Sequence, residues 1–150
     1  MKISQFQGEF RFLSNFYPTP VVWENHRWAT SEHAYQAAKS TDPDVWLKFL
    51  DPFMSPFEAK RLGQRIYPRP DWEEIKYTMM LSIVRAKFKN GKMALLLENT
   101  GDILIEEGNT WGDVTWGISP PNCGTGKNWL GKILMTVREE NRINMFGESV

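Results

Sequence analysis

The chain has almost no cysteine, very little histidine, no long apolar run and no net charge, and each shortage removes a class of function. Cys123 is the single cysteine, so no intramolecular disulfide is available, which fits a reducing compartment such as the cytoplasm. The two histidines, His26 and His33, fall on different predicted elements, and with one distant thiol they make no recognised zinc spacing. Neither a metal nor a cofactor is expected. No apolar stretch approaches the ~20 residues of a membrane span, and Met1-Lys2-Ile3 is not followed by a signal-peptide core. Lys plus Arg and Asp plus Glu number 18 each, so the surface offers no broad electrostatic footprint for duplex nucleic acid or an anionic membrane. The composition reads as that of a soluble cytoplasmic protein in which any anion is met by a local cluster of Arg and Lys.

What is present is a chain of 150 residues, the usual size of one domain, and a domain of that size buries about 70% of its unfolded surface. No repeat, low-complexity tract or linker divides it, so one domain over residues 1–150 is the simplest partition. Seven tryptophans are a heavy load, and most are expected in the core. Trp111 and Trp116 fit that expectation less well. They sit in NTWGDVTWGISPPNCGTGKN, a stretch of Gly, Pro, Asn and Thr that reads as loop. Aromatics on long loops face ligands more often than average.

Residues 2–16 alternate loosely and read as strand, and residues 21–23 and 26–28 flank Glu24-Asn25 as a short hairpin. Thr30 or Ser31 caps a helix through Ala38, and Asp42-Pro43 opens another through Phe49. Ser55-Pro56-Phe57-Glu58 is a capping box that starts a helix ending near Gly63. Asp71-Trp72-Glu73-Glu74 leads into a long central helix, with Ile75, Met79, Leu81 or Ser82, Ile83 and Ala86 on its apolar stripe and Asn90-Gly91 at its end. Helices over residues 92–98 and 126–141 and a brief strand over 103–106 complete a mainly α fold with a small N-terminal β component. The last helix carries Leu130, Ile133, Leu134 and Val137 on one stripe.

Three stretches hold candidate chemistry. In TSEHAYQAAK the helical repeat aligns Glu32, Tyr35, Gln36 and Lys39 on one face, opposite Ala34, Ala37 and Ala38. Spacing leaves two readings of that face, a solvated polar stripe or the wall of a site. A carboxylate in a first helical turn is stabilised as the anion, which suits a general base. The Gly124-Thr125-Gly126-Lys127-Asn128 turn fails the full phosphate-loop pattern, which argues against a nucleoside-triphosphate hydrolase. It reads either as an ordinary cap or as a set of backbone N–H groups open to one phosphate or carboxylate. The basic run KRLGQRIYPRP, with Lys60, Arg61, Arg65 and Arg69, is either solvated or lends an Arg such as Arg69 to a phosphate.

The blocks FLSNFYP (12–18), WATSEHAYQAAK (28–39), SPFEAKRLG (55–63), RPDWEEIKYTMM (69–80), AKF (86–88), Trp111-Gly112-Asp113 and GKNWLGKILMTVR (126–138) together resemble the YbiA-like, or NADAR, family. The resemblance implies a mostly helical single domain of YbiA-like fold that cleaves N-glycosidic bonds. It implies one of two substrate classes, ribosylamino-pyrimidine phosphates of riboflavin synthesis or ADP-ribose carried on guanine. The glutamate of the EHAYQ-type motif, here Glu32, is the implied catalytic residue. Asn15, Lys39, Trp72, Lys76, Trp111, Asp113 and Asn128 are the implied pocket residues. Trp116-Gly117 nearly repeats Trp111-Gly112 and leaves two alignments of that motif open.

An N-glycoside cleaves through an oxocarbenium-like transition state, which calls for a carboxylate near the anomeric carbon, a held water and help for the departing nitrogen. Glu32 suits the first two tasks, and Lys39 or Asp113 the third. An amine attack by Lys39 on the opened sugar is the other route. A small ribosylamine phosphate, ADP-ribosylated guanine in nucleic acid, and a non-catalytic ADP-ribose-binding module are the three ligand readings, and zero net charge favours the first over the second.

Overall fold

A computed structural model of the chain describes residues 1–89 and 91–147. The elements run β1 (Lys2–Ile3), a 3-10 helix (Gly8–Leu13), β2 (Val21–Trp23), β3 (His26–Trp28), α1 (Ser31–Ala37), α2 (Pro43–Phe49), α3 (Pro56–Arg65), α4 (Trp72–Lys87), α5 (Gly91–Glu98), β4 (Leu104–Ile105) and α6 (Trp129–Gly147). The fold is mainly helical with few, short strands, as expected. Asn90, the expected end of α4, lies outside the described residues.

The chain divides into two compact units. One comprises Asn15–Lys87, the other Met1–Ser14 with Phe88–Val150.

In the Asn15–Lys87 unit, β2 and β3 form an antiparallel hairpin that pairs Trp23 with His26. Glu24 and Asn25 both take positive φ, 51° and 62°, the conformation that a two-residue hairpin turn demands. The helix starts follow their caps. Thr30 accepts from His33 N, Asp42 from Asp44 N, and Ser55 from Glu58 N, so each hydroxyl or carboxylate satisfies an otherwise orphaned N–H of a first turn. Helix α1 is the hub of this unit, packing against α2, α3, α4 and the hairpin. All of its residues are buried, and a helix enclosed all round belongs to a core rather than a surface. Trp23, Trp28 and Trp46 cluster beside it with ring centroids 5.4–6.3 Å apart. Each indole N–H finds an acceptor: Ser82 Oγ, the Trp23 carbonyl and the Ser40 carbonyl, respectively.

Two expectations shift in this unit. Helix α3 runs through Gly63 to Arg65, so that glycine is a helix-interior residue and not a terminator. The buried face of α4 holds Trp72, Met80, Ile83, Val84 and Lys87, rotated from the expected stripe, with Ile75, Met79 and Ala86 only half-buried. Lysines occupy part of the inward face, and apolar periodicity cannot register them.

In the other unit, β1 pairs in parallel with β4, Lys2 opposite Leu104 and Ile3 opposite Ile105. The strand expected over residues 2–16 stops at Ile3 and gives way to the 3-10 helix. Phe12 and Leu13 are buried in succession, which a strand with one exposed face does not allow. Helix α6 packs on α5 and β4 through the expected stripe of Leu130, Ile133, Leu134 and Val137, all buried. It begins three residues later than expected, because Gly126 and Asn128 take φ of 139° and 53° and neither is helical. No helix among the described residues is long and apolar enough to cross a membrane.

Candidate active site

The face of α1 that spacing left ambiguous is enclosed. Glu32 is 6% exposed and Gln36 4%, with Tyr35 also buried, so the solvated-stripe reading is overturned. A carboxylate that deep needs hydrogen-bond partners. Gln36, one turn along, donates from Nε2 to Glu32 Oε1 at 2.7 Å. At the start of the helix the Glu32 N–H donates to the Asn15 carbonyl (3.1 Å), and the Ser31 hydroxyl donates to Asn15 Oδ1 (2.9 Å). Asn15 therefore anchors the turn that carries Glu32.

Lys39 lies just past α1 and donates from Nζ to the Gly63 carbonyl (3.2 Å). Its ammonium is held below the ordinary lysine range, first by burial, while the Glu32 and Glu73 carboxylates favour the charged form and the Lys76 ammonium opposes it. These influences place Glu32, Lys39, Glu73 and Lys76 in one electrostatic neighbourhood. Lys76 bonds the exposed Glu73 one turn before it on α4, and its own side chain is largely covered. Tyr35 packs against Trp72 with ring centroids 5.2 Å apart, and both rings are buried. Of the expected site residues, Asn15, Glu32, Tyr35, Lys39, Trp72 and Lys76 all belong to this unit.

Arg69 belongs to it as well, with a different occupation. Its guanidinium grips Asp71 through Nε (2.6 Å) and Nη2 (3.1 Å), which holds the Asp71 carboxyl below its usual range, while its N–H reaches the Lys39 carbonyl at 2.7 Å. Arg69 thus ties the chain after Lys39 to the start of α4. Arg61 and Arg65 are exposed, so the basic run disperses.

His33 is fully enclosed. Nε2 stands 2.8 Å from the Met54 carbonyl, an acceptor only, so that nitrogen carries the proton and Nδ1 accepts from the Thr30 hydroxyl at 2.7 Å. Burial lowers its pKa. The neutral ring is a structural tie between α1 and the turn before α3.

The remaining expected residues lie in the other unit. Asn109 and Asp113 clasp each other through side chain and backbone at 2.9–3.0 Å. Asp113 Oδ1 then accepts from the N–H groups of Thr115 and Trp116 (3.0 and 2.9 Å), which folds the loop. Asn128 donates to the Ile105 carbonyl and accepts from Glu107 N, joining the start of α6 to β4. Trp116 sits edge-on to Trp129 at 5.4 Å, whereas Trp111 is 64% exposed. The anion-cradle reading of the 124–128 turn loses its donors at the start of α6. The N–H groups of Lys127, Asn128, Trp129 and Leu130 go to the carbonyls of Val114, Gly117, Thr115 and Trp116.

Sequence reasoning did not single out two residues of note. Gln36 shares the face of Glu32, and its contact with that carboxylate follows from the i, i+4 spacing. Lys87, at the end of α4, is fully enclosed, and burial pushes its ammonium down to about 7. Nothing in its neighbourhood in the sequence signals that burial.

Comparison with known proteins places the chain in a family and a fold. The NADAR domain profile matches residues 3–142. The N-glycosidase YbiA of Escherichia coli (strain K12) is 37% identical over 137 residues, spanning 89% of this chain and 81% of that protein. A Vibrio vulnificus (strain YJ016) protein named as a riboflavin biosynthesis protein is 39% identical over 132 residues, which cover 86% of this chain but only 35% of that longer protein. The NMR structure of E. coli YbiA superposes with a TM-score of 0.81 at 32% identity, covering 96% of this chain and 87% of that one.

Proposed function

The chain belongs to the NADAR domain family, and from that premise we propose that it hydrolyses the ribose C1–N bond of a phosphorylated ribosylamino-pyrimidine, with Glu32 as the catalytic carboxylate. It is a hydrolase acting on N-glycosyl bonds, the chemistry for which its YbiA relatives are named. The observation that carries the residue assignment is the enclosed Glu32 carboxylate, held by the Gln36 amide with the Lys39 ammonium in its neighbourhood.

In this reading Glu32 accepts the proton of a water that attacks C1 as the C1–N bond breaks. The bond's electron pair leaves on the pyrimidine amine, which takes up a proton to depart neutral. Lys39, whose burial eases loss of its own proton, supplies that proton and stands beside the carboxylate as its positive charge changes hands. General acid–base work of this kind contributes about 10²–10⁴-fold, and positioning and charge stabilisation carry the rest. Tyr35 and Trp72, packed together near this face, offer apolar surface for a ring. The pyrimidine substrate is supported by relatives named for riboflavin biosynthesis and by zero net charge, which gives no steering toward polyanionic nucleic acid.

A paired assay tests the substrate. Purified protein receives the ribosylamino-pyrimidine phosphate and, separately, an oligonucleotide carrying ADP-ribosyl-guanine. Release of the free aminopyrimidine and ribose phosphate in the first arm is expected. Release of ADP-ribose in the second arm alone transfers the same Glu32 chemistry to modified guanine, and binding without product in either arm refutes turnover.

A further inference from the structure

Gly63 sits inside α3, where glycine costs about 1 kcal/mol relative to alanine and no positive φ calls for it. The reason for its presence lies across the unit. A methyl group built on Gly63 would overlap the Gln36 carboxamide, meeting Oε1 first and then Cδ and Cγ. The bare Cα is therefore the floor on which that carboxamide lies. From there Nε2 reaches Glu32 Oε1 at 2.7 Å. Among the described residues Gln36 Oε1 has no hydrogen-bond partner, although the side chain is 96% buried by its 4% exposure. Leaving a buried acceptor unmatched costs about 1–3 kcal/mol, so the oxygen's own needs do not select this conformation. The space at Gly63 and the bond to Glu32 do. The Gly63 carbonyl in turn accepts from Lys39 Nζ.

We infer that Gly63 and Gln36 are a positioning pair for the Glu32–Lys39 centre: the absent side chain at 63 admits the Gln36 carboxamide, which aims Glu32, while the same residue's carbonyl holds Lys39. Neither residue takes or gives a proton in the reaction. Each acts through a neighbour, and α3 thereby sets the geometry of a centre built on α1. The inference rests on the assignment of Glu32 as the catalytic carboxylate, so its test includes Glu32→Gln.

The experiment measures kcat, KM, the pH profile and the thermal midpoint of wild type, Gly63→Ala, Gln36→Met, the double variant and Glu32→Gln on whichever substrate the wild type turns over. Gly63→Ala is expected to lower kcat at least about tenfold with KM little changed, a split that marks lost transition-state positioning, while the midpoint holds or rises with the better helix former. Gln36→Met keeps the volume but removes the donor to the carboxylate. It is expected to lower kcat similarly and to move the acidic limb of the kcat profile to higher pH, a shift that lost packing alone does not produce. The double variant is expected to fall no further than Gln36→Met, because no donor to the carboxylate remains to be lost. Wild-type kcat in Gln36→Met, an unmoved acidic limb, or fully additive losses overturn the inference, even if Gly63→Ala fails to fold. Should Glu32→Gln abolish turnover while Gln36→Met does not, the positioning pair alone is refuted. Should Glu32→Gln retain turnover, the catalytic assignment and the pair fall together.

Discussion

The two units spend their buried polar side chains differently. In Asn15–Lys87 the central bond joins side chain to side chain, Gln36 to Glu32, with a lysine ammonium held close to the carboxylate against the cost of burial. In the other unit the described polar side chains mostly serve the backbone, with the Asn109–Glu107 and Arg138–Thr100 side-chain bonds among the exceptions. Asn128 bonds Ile105 and Glu107, Asp113 bonds the turn that follows it, and Arg138 donates to Thr100 Oγ1 and the Ile103 carbonyl. A side chain that satisfies buried backbone helps to build a loop. A buried carboxylate with a half-buried ammonium in its neighbourhood does little for stability, since desolvation consumes most of what their attraction returns. Such an arrangement is better explained by chemistry.

The largest expected effect on this contrast is at Glu32. Glu32→Gln keeps the shape and one acceptor oxygen for the Gln36 amide but not the basicity, and steady-state kinetics should record a loss of about 10²–10⁴-fold in kcat with an unchanged thermal midpoint. Lys39→Met removes a half-buried charge and should cost about 10²-fold in kcat while flattening the alkaline limb, which in the wild type is expected below the usual lysine range because burial lowers Lys39. An unaltered alkaline limb in that variant would sink the proton-donor role.

Across the divide the expected signature reverses. Asn128→Ala strands the Ile105 carbonyl and the Glu107 N–H and should lower stability by about 2–4 kcal/mol, read from urea unfolding, with kcat of the folded fraction near wild type. Asp113→Ala opens one turn at about 1 kcal/mol, and Asp113→Asn should be close to silent because an amide oxygen can accept the same two N–H bonds.

A finer test concerns the enclosed Lys87. Its ammonium titrates near 7 in the folded chain and at 10.5 ordinarily. Between those values the unfolded state holds a proton that the folded state has released, so stability rises with pH across that window and the penalty is complete below it. The difference in urea midpoint between wild type and Lys87→Met should shrink as pH climbs from 7 toward 10. A difference independent of pH would contradict the burial of that charge.

How much of this was legible in the sequence depends on how local the cause was. The starts of α1, α2 and α3 were readable from Thr30, Asp42-Pro43 and Ser55-Pro56, because a cap acts within one helical turn. The hairpin at Glu24-Asn25 was readable for the same reason. The inward face of α4 was not, because Lys87 stands where an apolar residue would announce burial, nor was the start of α6, where positive φ at Asn128 interrupts an apparently helical run. At the site, the alignment of Glu32 with Gln36 followed from spacing. Their burial did not, since it is imposed by α3, α4 and the hairpin packing around α1. Gly63 read as a helix end because its real partner, the Gln36 carboxamide, is distant in the chain.

The most direct measurement compares Glu32→Gln and Asn128→Ala side by side, recording aminopyrimidine release from the ribosylamino-pyrimidine phosphate and the thermal midpoint of each protein. The expected result is a crossed pattern, turnover lost with the midpoint kept in the first and the midpoint lowered with turnover kept in the second. Turnover kept in Glu32→Gln, or lost in Asn128→Ala without a change in midpoint, would contradict the division of labour between the two units.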